Sequence, residues 1–219
     1  MLSSRLRWPL LVLLSSAFAL PSTARGVIVS SFRKPGCTIG RSIYEVDGSS
    51  SYRTLPSPLV VGIANDAFRV LFGGFGPRLS LYAAPDMEFN AYFFYNVLTD
   101  AQGQAVGADV GVTYSPGWID DVYRTWGPSA VLGLFAHETG HAMSWYFDWR
   151  QFNFESHDEE RRADFLAGYA VARWRADPGG LEQVHKMFST YDDGQHAAWP
   201  VRISDLRYGW LAGGGLPYW

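Results

Sequence analysis

Apolar residues recur at helical spacing between Leu59 and Phe72, where Val60, Ile63, Ala64, Ala67, Phe68 and Leu71 fall on one face and Gly73-Gly74 closes the run. This predicts a packing helix over 59–72. The period then shortens: Arg78–Ala83, Glu88–Tyr95 and Ala108–Tyr114 alternate or run apolar with many aromatics, as strands do. Thr99-Asp100-Ala101-Gln102-Gly103-Gln104 reads as a hairpin connection between the last two, so a small antiparallel sheet is expected. Gly127-Pro128-Ser129 then opens a helix, since proline is tolerated in the first turn, where its missing N–H costs nothing. That helix runs to about Trp149 and is apolar nearly all round (Val131, Leu132, Leu134, Phe135, Ala142, Met143, Trp145, Tyr146), which predicts a buried central helix. A second helix is predicted from Glu159 to about Arg175.

Two glycines, Gly133 and Gly140, lie inside the central helix, each costing about 1 kcal/mol against alanine unless a close neighbour needs the space. Gly73-Gly74-Phe75-Gly76 is a turn and not a phosphate loop, because no Lys-Ser/Thr follows it. The 219 residues are enough for one domain with additions. The chain opens with Arg5 and Arg7, continues with an apolar run from Leu10 to Leu20 and reaches small residues at Ser22-Thr23-Ala24. That order is the layout of a secretory signal peptide, cut after Ala24 or after Ala19, and the run is shorter than the roughly 20 apolar residues that span a bilayer. The division expected is therefore a leader over 1–24, a Ser-, Gly- and Pro-rich extension over 25–58 and one domain over 59–219. The mature chain is expected to be secreted or periplasmic, with membrane association only if the leader stays uncleaved.

Loss of the leader removes two arginines and no acid, leaving 16 basic against 21 acidic residues, a net charge of −5. Such a surface offers no basic footprint for nucleic acid. Cys37 is the only cysteine, so no internal disulfide is possible, and no histidine lies near it to make it a nucleophile.

Chemistry enters in the middle of the central helix, at His137-Glu138-Thr139-Gly140-His141. Residues four apart share a helix face, so His137 and His141 are able to present both imidazoles to one metal ion, while Glu138 sits at the edge of that face, placed to hold a water. Catalytic zinc takes three protein ligands, and the extended pattern that would supply a glycine and a histidine at Ser144 and Phe147 is absent. The next helix offers Glu160 and Asp164, four apart on the small, apolar side with Ala167, Gly168 and Val171, whereas Glu159 falls on the side of Arg162. Glu160 is therefore the expected third ligand and Asp164 the acceptor for the second ring N–H of His137. His157 is the rival third ligand.

HExxH followed by ExxAD-xx-AG resembles the gluzincin metallopeptidases, in particular minimal bacterial ones such as the HtpX-like peptidases and the neutral zinc metallopeptidases. The likeness covers roughly Leu79 to Arg207. It implies an α+β, zincin-like fold, mainly helical with a small antiparallel sheet beside two crossed active-site helices. It also implies one Zn2+ ion on His137, His141 and Glu160, Glu138 as general base, and Asn90-Ala91 as the edge-strand pair that holds an extended peptide substrate. The histidine-proline pair that those families place before a C-terminal arginine is split here, as His196-Ala197-Ala198-Trp199-Pro200-Val201-Arg202. His196 and Arg202 are candidate oxyanion donors, with Tyr191 a weaker one.

The expected activity is hydrolysis of a peptide bond by a metal-activated water. Two alternatives stand beside it: a non-catalytic secreted zinc-binding or interaction module, for which 9 Trp could serve a binding face, and a zinc amidohydrolase of a non-protein substrate.

Overall fold

The computed structural model describes residues 57–73, 79–84, 91–99, 102, 105–148, 157–175, 177–190 and 196–217. The expected leader, nearly all of the expected extension, Cys37, Asn90 and Tyr191 lie outside these residues. Among them the chain forms α1 (Pro58–Phe72), β1 (Leu79–Ala83), β2 (Ala91–Thr99), β3 (Ala105–Tyr114), α2 (Pro116–Trp126), α3 (Pro128–Asp148), α4 (His157–Arg175), α5 (Pro178–Thr190) and α6 (Trp199–Ala212). The architecture is α+β and mostly helical.

Local chemistry sets the helix ends. Ser57 caps α1 by accepting from the Val60 N–H, Pro58 occupies the first turn, and Gly73 closes the helix in the left-handed conformation at φ 59°, donating its N–H to Arg69 O. Ser115 and Pro116 open α2 in the same manner, the serine hydroxyl accepting from Trp118 N–H.

The sheet is mixed, which corrects the antiparallel expectation. β3 lies in the middle, antiparallel to β2 and parallel to β1, in the order β1-β3-β2. The short connection after β2 makes β2 and β3 antiparallel neighbours with two free edges, and β1 takes the edge of β3. β1 runs opposite to β2, so it runs with β3. Val112 is paired with Leu81 on one side and Phe93 on the other, and Val112 and Phe93 are fully buried.

α3 is the central helix. Ala130, Val131, Leu132, Leu134, Phe135 and Ala136 are fully buried, and the helix packs on α1, α2, α4 and α5 and against β2 and β3. Burial fades beyond Ala142, and Tyr146 is exposed, so the buried stretch is shorter than its apolar pattern implies. Small residues set the crossings. A Cβ at Gly140 would stand 3.2 Å from the Ala163 backbone, where α3 meets α4. At Gly168 of α4 it would overlap the Leu206 carbonyl of α6, and at Gly209 of α6 it would overlap the Phe165 carbonyl of α4. The two backbones touch through glycine from both sides, which lets short side chains one turn away reach across. Among the described residues no helix is long and apolar enough to cross a membrane.

Candidate metal centre

α3 presents His137, Glu138 and His141 to the interior, all fully buried. Opposite them, the first turns of α4 bring Glu159, Glu160 and Asp164, at 3%, 4% and 1% exposure. Burying four carboxylates and two imidazoles is costly unless each is paired. The pairs are ordered: His137 meets Asp164 and His141 meets Glu159, so as one helix ascends the other descends, the relation of two antiparallel neighbours.

Three imidazole nitrogens converge on a single oxygen. Glu160 Oε2 lies 3.3 Å from His137 Nε2, 3.2 Å from His196 Nε2 and 3.7 Å from His141 Nε2. His137, Glu160 and His196 form a buried group whose donor atoms all lie within 4.8 Å of one another, close enough to hold a metal ion. Donors about 2.0–2.1 Å from a tetrahedral ion stand about 3.3–3.4 Å apart, close to the 3.2 and 3.3 Å from Glu160 Oε2 to His196 and His137, whereas His141, with its Nε2 at 3.7 Å, is not part of that group.

The opposite ring nitrogens strengthen the fit. His141 Nδ1 is hydrogen-bonded to Glu159 Oε1 at 3.4 Å, and a carboxylate there favours the ring proton at Nδ1; His137 Nδ1 stands 3.0 Å from Asp164 Oδ1, at ion-pair distance but not in line for a hydrogen bond. With the ring proton at Nδ1 the Nε2 lone pair faces a carboxylate oxygen, an arrangement relieved either by a second ring proton, which makes the ring a donor to Glu160, or by a cation in that proton's place. Nε2 of His141 makes no hydrogen bond among the described residues.

Electrostatics at the carboxylates follow from this crowding. Burial works to raise the Glu160 pKa, but the imidazoles of His141, His137 and His196 outweigh it and hold the group well below the usual carboxylate range. For Asp164 burial is again outweighed, by the Arg202 guanidinium and then by His137, and its pKa falls to about 2. Glu138 behaves oppositely. Burial pushes its carboxyl up to about 8, only partly offset by His141 and by the Phe93 N–H. Its Oε2 accepts from Phe93 N–H of β2 at 2.7 Å, while Oε1 is buried with no hydrogen-bond partner among the described residues.

Each expected residue now has a place. His137, His141, Glu160 and Asp164 come together as the helical spacing predicts, and Glu138 stands beside them. His196, considered as an oxyanion donor, has its Nε2 at Glu160. Arg202, considered for the same task, is fully buried in α6, bidentate on Asp164 at 2.8 Å for both contacts and 4.5 Å from the Phe188 ring centre. Ala91 opens β2 opposite Tyr114 and is fully buried. The rival ligand His157 is exposed at the first position of α4.

Two contributors escape the sequence reading. Glu159 was expected on the side of Arg162; it does pair with Arg162 at 3.4 Å, but its other oxygen turns inward to His141. Consecutive helical residues are about 100° apart, and a glutamate side chain is long enough to close that angle. The signal available was His141 itself, which needs an acceptor for its second nitrogen as much as His137 does. The other is Phe188 of α5, whose ring stands edge-on to His137 with centres 5.5 Å apart.

No protein-family model, curated protein or solved structure matches this chain.

Proposed function

We propose that the chain is a zinc-dependent peptidase of the gluzincin kind, hydrolysing a peptide bond with Glu138 as general base. The observation that carries this reading is the fully buried Oε1 of Glu138, which has no hydrogen-bond partner among the described residues and lies beside a group of residues able to hold a metal ion. A site kept only for stability gains nothing from such an oxygen. The donor set, imidazole nitrogens and one carboxylate, is the kind that zinc favours in hydrolases. When bound, zinc supplies Lewis acidity, polarising a carbonyl and lowering the pKa of water towards about 7.

The protein's part is positioning and proton transfer. The Phe93 N–H fixes Oε2 of Glu138, which leaves Oε1 to accept a proton from the attacking water and return it to the leaving amine. A carboxyl held near neutrality by burial is suited to both steps. Asp164 and Glu159 keep the His137 and His141 rings in orientation, and Arg202 keeps Asp164 ionised. The expected substrate is a peptide or protein met outside the cytoplasm, as the leader-like start implies.

Complete burial of His137, Glu138 and His141 favours a second reading, a non-catalytic metal-binding module. One experiment separates the two. Purified protein loaded with zinc is assayed for metal content and for cleavage of casein and a peptide library, beside Glu138→Gln. The proposal expects one zinc in both and cleavage by the parent alone, with the variant slower by about 10²- to 10⁴-fold. Undiminished cleavage by the variant overturns the base assignment. Stoichiometric zinc without peptide cleavage in the parent favours the module, or a hydrolase of non-peptide amides if such substrates turn over.

A further inference from the structure

α5 lies along α3 turn against turn. A Cβ at Gly180 would stand 2.8 Å from the Ser129 hydroxyl, and one at Gly133 would stand 2.6 Å from a Val184 methyl. One turn further along both helices the Phe188 ring meets the His137 imidazole, with centres 5.5 Å apart and planes at 78°. The meetings at 129–180, 133–184 and 137–188 advance by four residues on each helix, so α3 and α5 run in the same direction in register. Glycine is unfavourable inside a helix, and here the missing side chains let α5 come close enough for Phe188 to reach the centre.

The Phe188 ring has a second neighbour. The guanidinium carbon of Arg202 lies over the ring, 4.5 Å from its centre. Arg202 is bidentate on Asp164 at 2.8 Å, and Asp164 Oδ1 stands 3.0 Å from His137 Nδ1. His137, Asp164, Phe188 and Arg202 thus close a loop, one side chain from each of α3, α4, α5 and α6. An aromatic face is negative and attracts a cation most strongly where water is excluded, and all four side chains are at most 1% exposed. A role in filling space asks only for an apolar group of that volume. A guanidinium held over the ring asks for an aromatic face.

Building on the metal-centre reading, we infer that Phe188 is a positioning residue of that centre. Its ring face holds the Arg202 guanidinium on Asp164 and, through that carboxylate, sets the His137 imidazole for the ion.

The test measures the Zn2+ affinity of the intact, folded protein by competition with a chromogenic chelator. Phe188→Leu is expected to weaken zinc binding about 10-fold, the lower end for a group that acts from behind a metal ligand. In an Arg202→Met background the same change is expected to cost less than about 3-fold, because the cation it served is gone. Phe72→Leu, which removes a buried ring stacked on Phe68 in α1, is expected to leave zinc affinity unchanged. Mono-, di- and trifluorophenylalanine at position 188 draw negative charge from the ring face with little change of shape, and decide the matter even where Phe188→Leu or the double variant fails to fold. Zinc affinity is expected to fall stepwise along that series, by about 3-fold at its end. Equal losses from Phe188→Leu in both backgrounds, or an affinity that fluorination does not move, overturn the inference and leave Phe188 as core packing. Absence of stoichiometric zinc from the parent overturns the metal-centre reading itself and this inference with it, an outcome distinct from the other two.

Discussion

Replacing Arg202 by Met tests how the centre is held together. The guanidinium makes two 2.8 Å hydrogen bonds to Asp164, and both residues are at most 1% exposed. The Asp164 pKa is brought from 3.8 to about 2, and at about 1.4 kcal/mol per unit that corresponds to roughly 2–3 kcal/mol, shared between Arg202 and His137. Methionine fills much of the volume but leaves a buried carboxylate uncompensated, a change that costs about 3–5 kcal/mol when one partner of a buried pair is lost. The expected loss is about 3 kcal/mol, or about 10 °C in Tm for a domain of this size.

The sign with pH follows from the depressed folded pKa. The stabilisation is complete above the unfolded value of about 3.8 and is lost as pH falls through 2, below which Asp164 becomes neutral in both states. Urea melts of parent and Arg202→Met should therefore differ most at pH 7 and converge towards pH 2. Adding Asp164→Asn to the variant removes the orphaned charge, and should recover at least about 1 kcal/mol. A gap below about 1 kcal/mol at pH 7, or one as wide at pH 2, would show that packing and not charge holds this contact.

Glu159→Ala should weaken zinc affinity by about 10- to 100-fold and Glu159→Gln by less, measured by competition with a chromogenic chelator; an unchanged affinity removes Glu159 from the centre. Gly168→Ala should destabilise by about 3 kcal/mol, because its Cβ meets the Leu206 carbonyl, whereas Gly62→Ala in α1, with open space around it, should stabilise by up to about 1 kcal/mol. Denaturant melts of the pair decide between packing and helix propensity. Burial, and then the charge of Arg207, lower the His185 pKa to about 4. The unfolded chain therefore takes up a proton first, and about 1–2 kcal/mol of stability, discounted for partial exposure, is lost as pH falls from 6.5 to 4. His185→Phe should flatten that slope relative to the parent, and an equal slope in both refutes the attribution.

Legibility in the sequence followed the chemistry of each element. α1, α3 and α4 announce themselves: the first by its apolar period and its closing glycine, the others by residues four apart whose polarity makes no sense in a core unless they meet a common partner. The strands were readable as strands, but their order was not, because pairing partners are chosen by connection geometry and alternation is blind to it. The mixed sheet follows from β3, not β2, taking the centre.

The apolar pattern does not announce α6, for a reason that bears on the site. Its buried residues are Arg202, Asp205, Leu206, Gly209 and Trp210, so the inward face carries two charges and a glycine, and a search for apolar periodicity passes over it. Those charges are inward because α4 turns Asp164 and Arg161 to meet them, and the glycine is inward because the backbones touch. The motif on α3 points to candidate donors on one helix, and the second helix offers another in Glu160. The position of His196, however, is a property of the α4–α6 contact, which exists only once the chain is folded. The same contact that hides α6 from a hydrophobic pattern therefore accompanies the approach of His196 to Glu160. A change at Gly168 or Gly209 should thus disturb metal coordination as well as stability, although neither residue touches the centre.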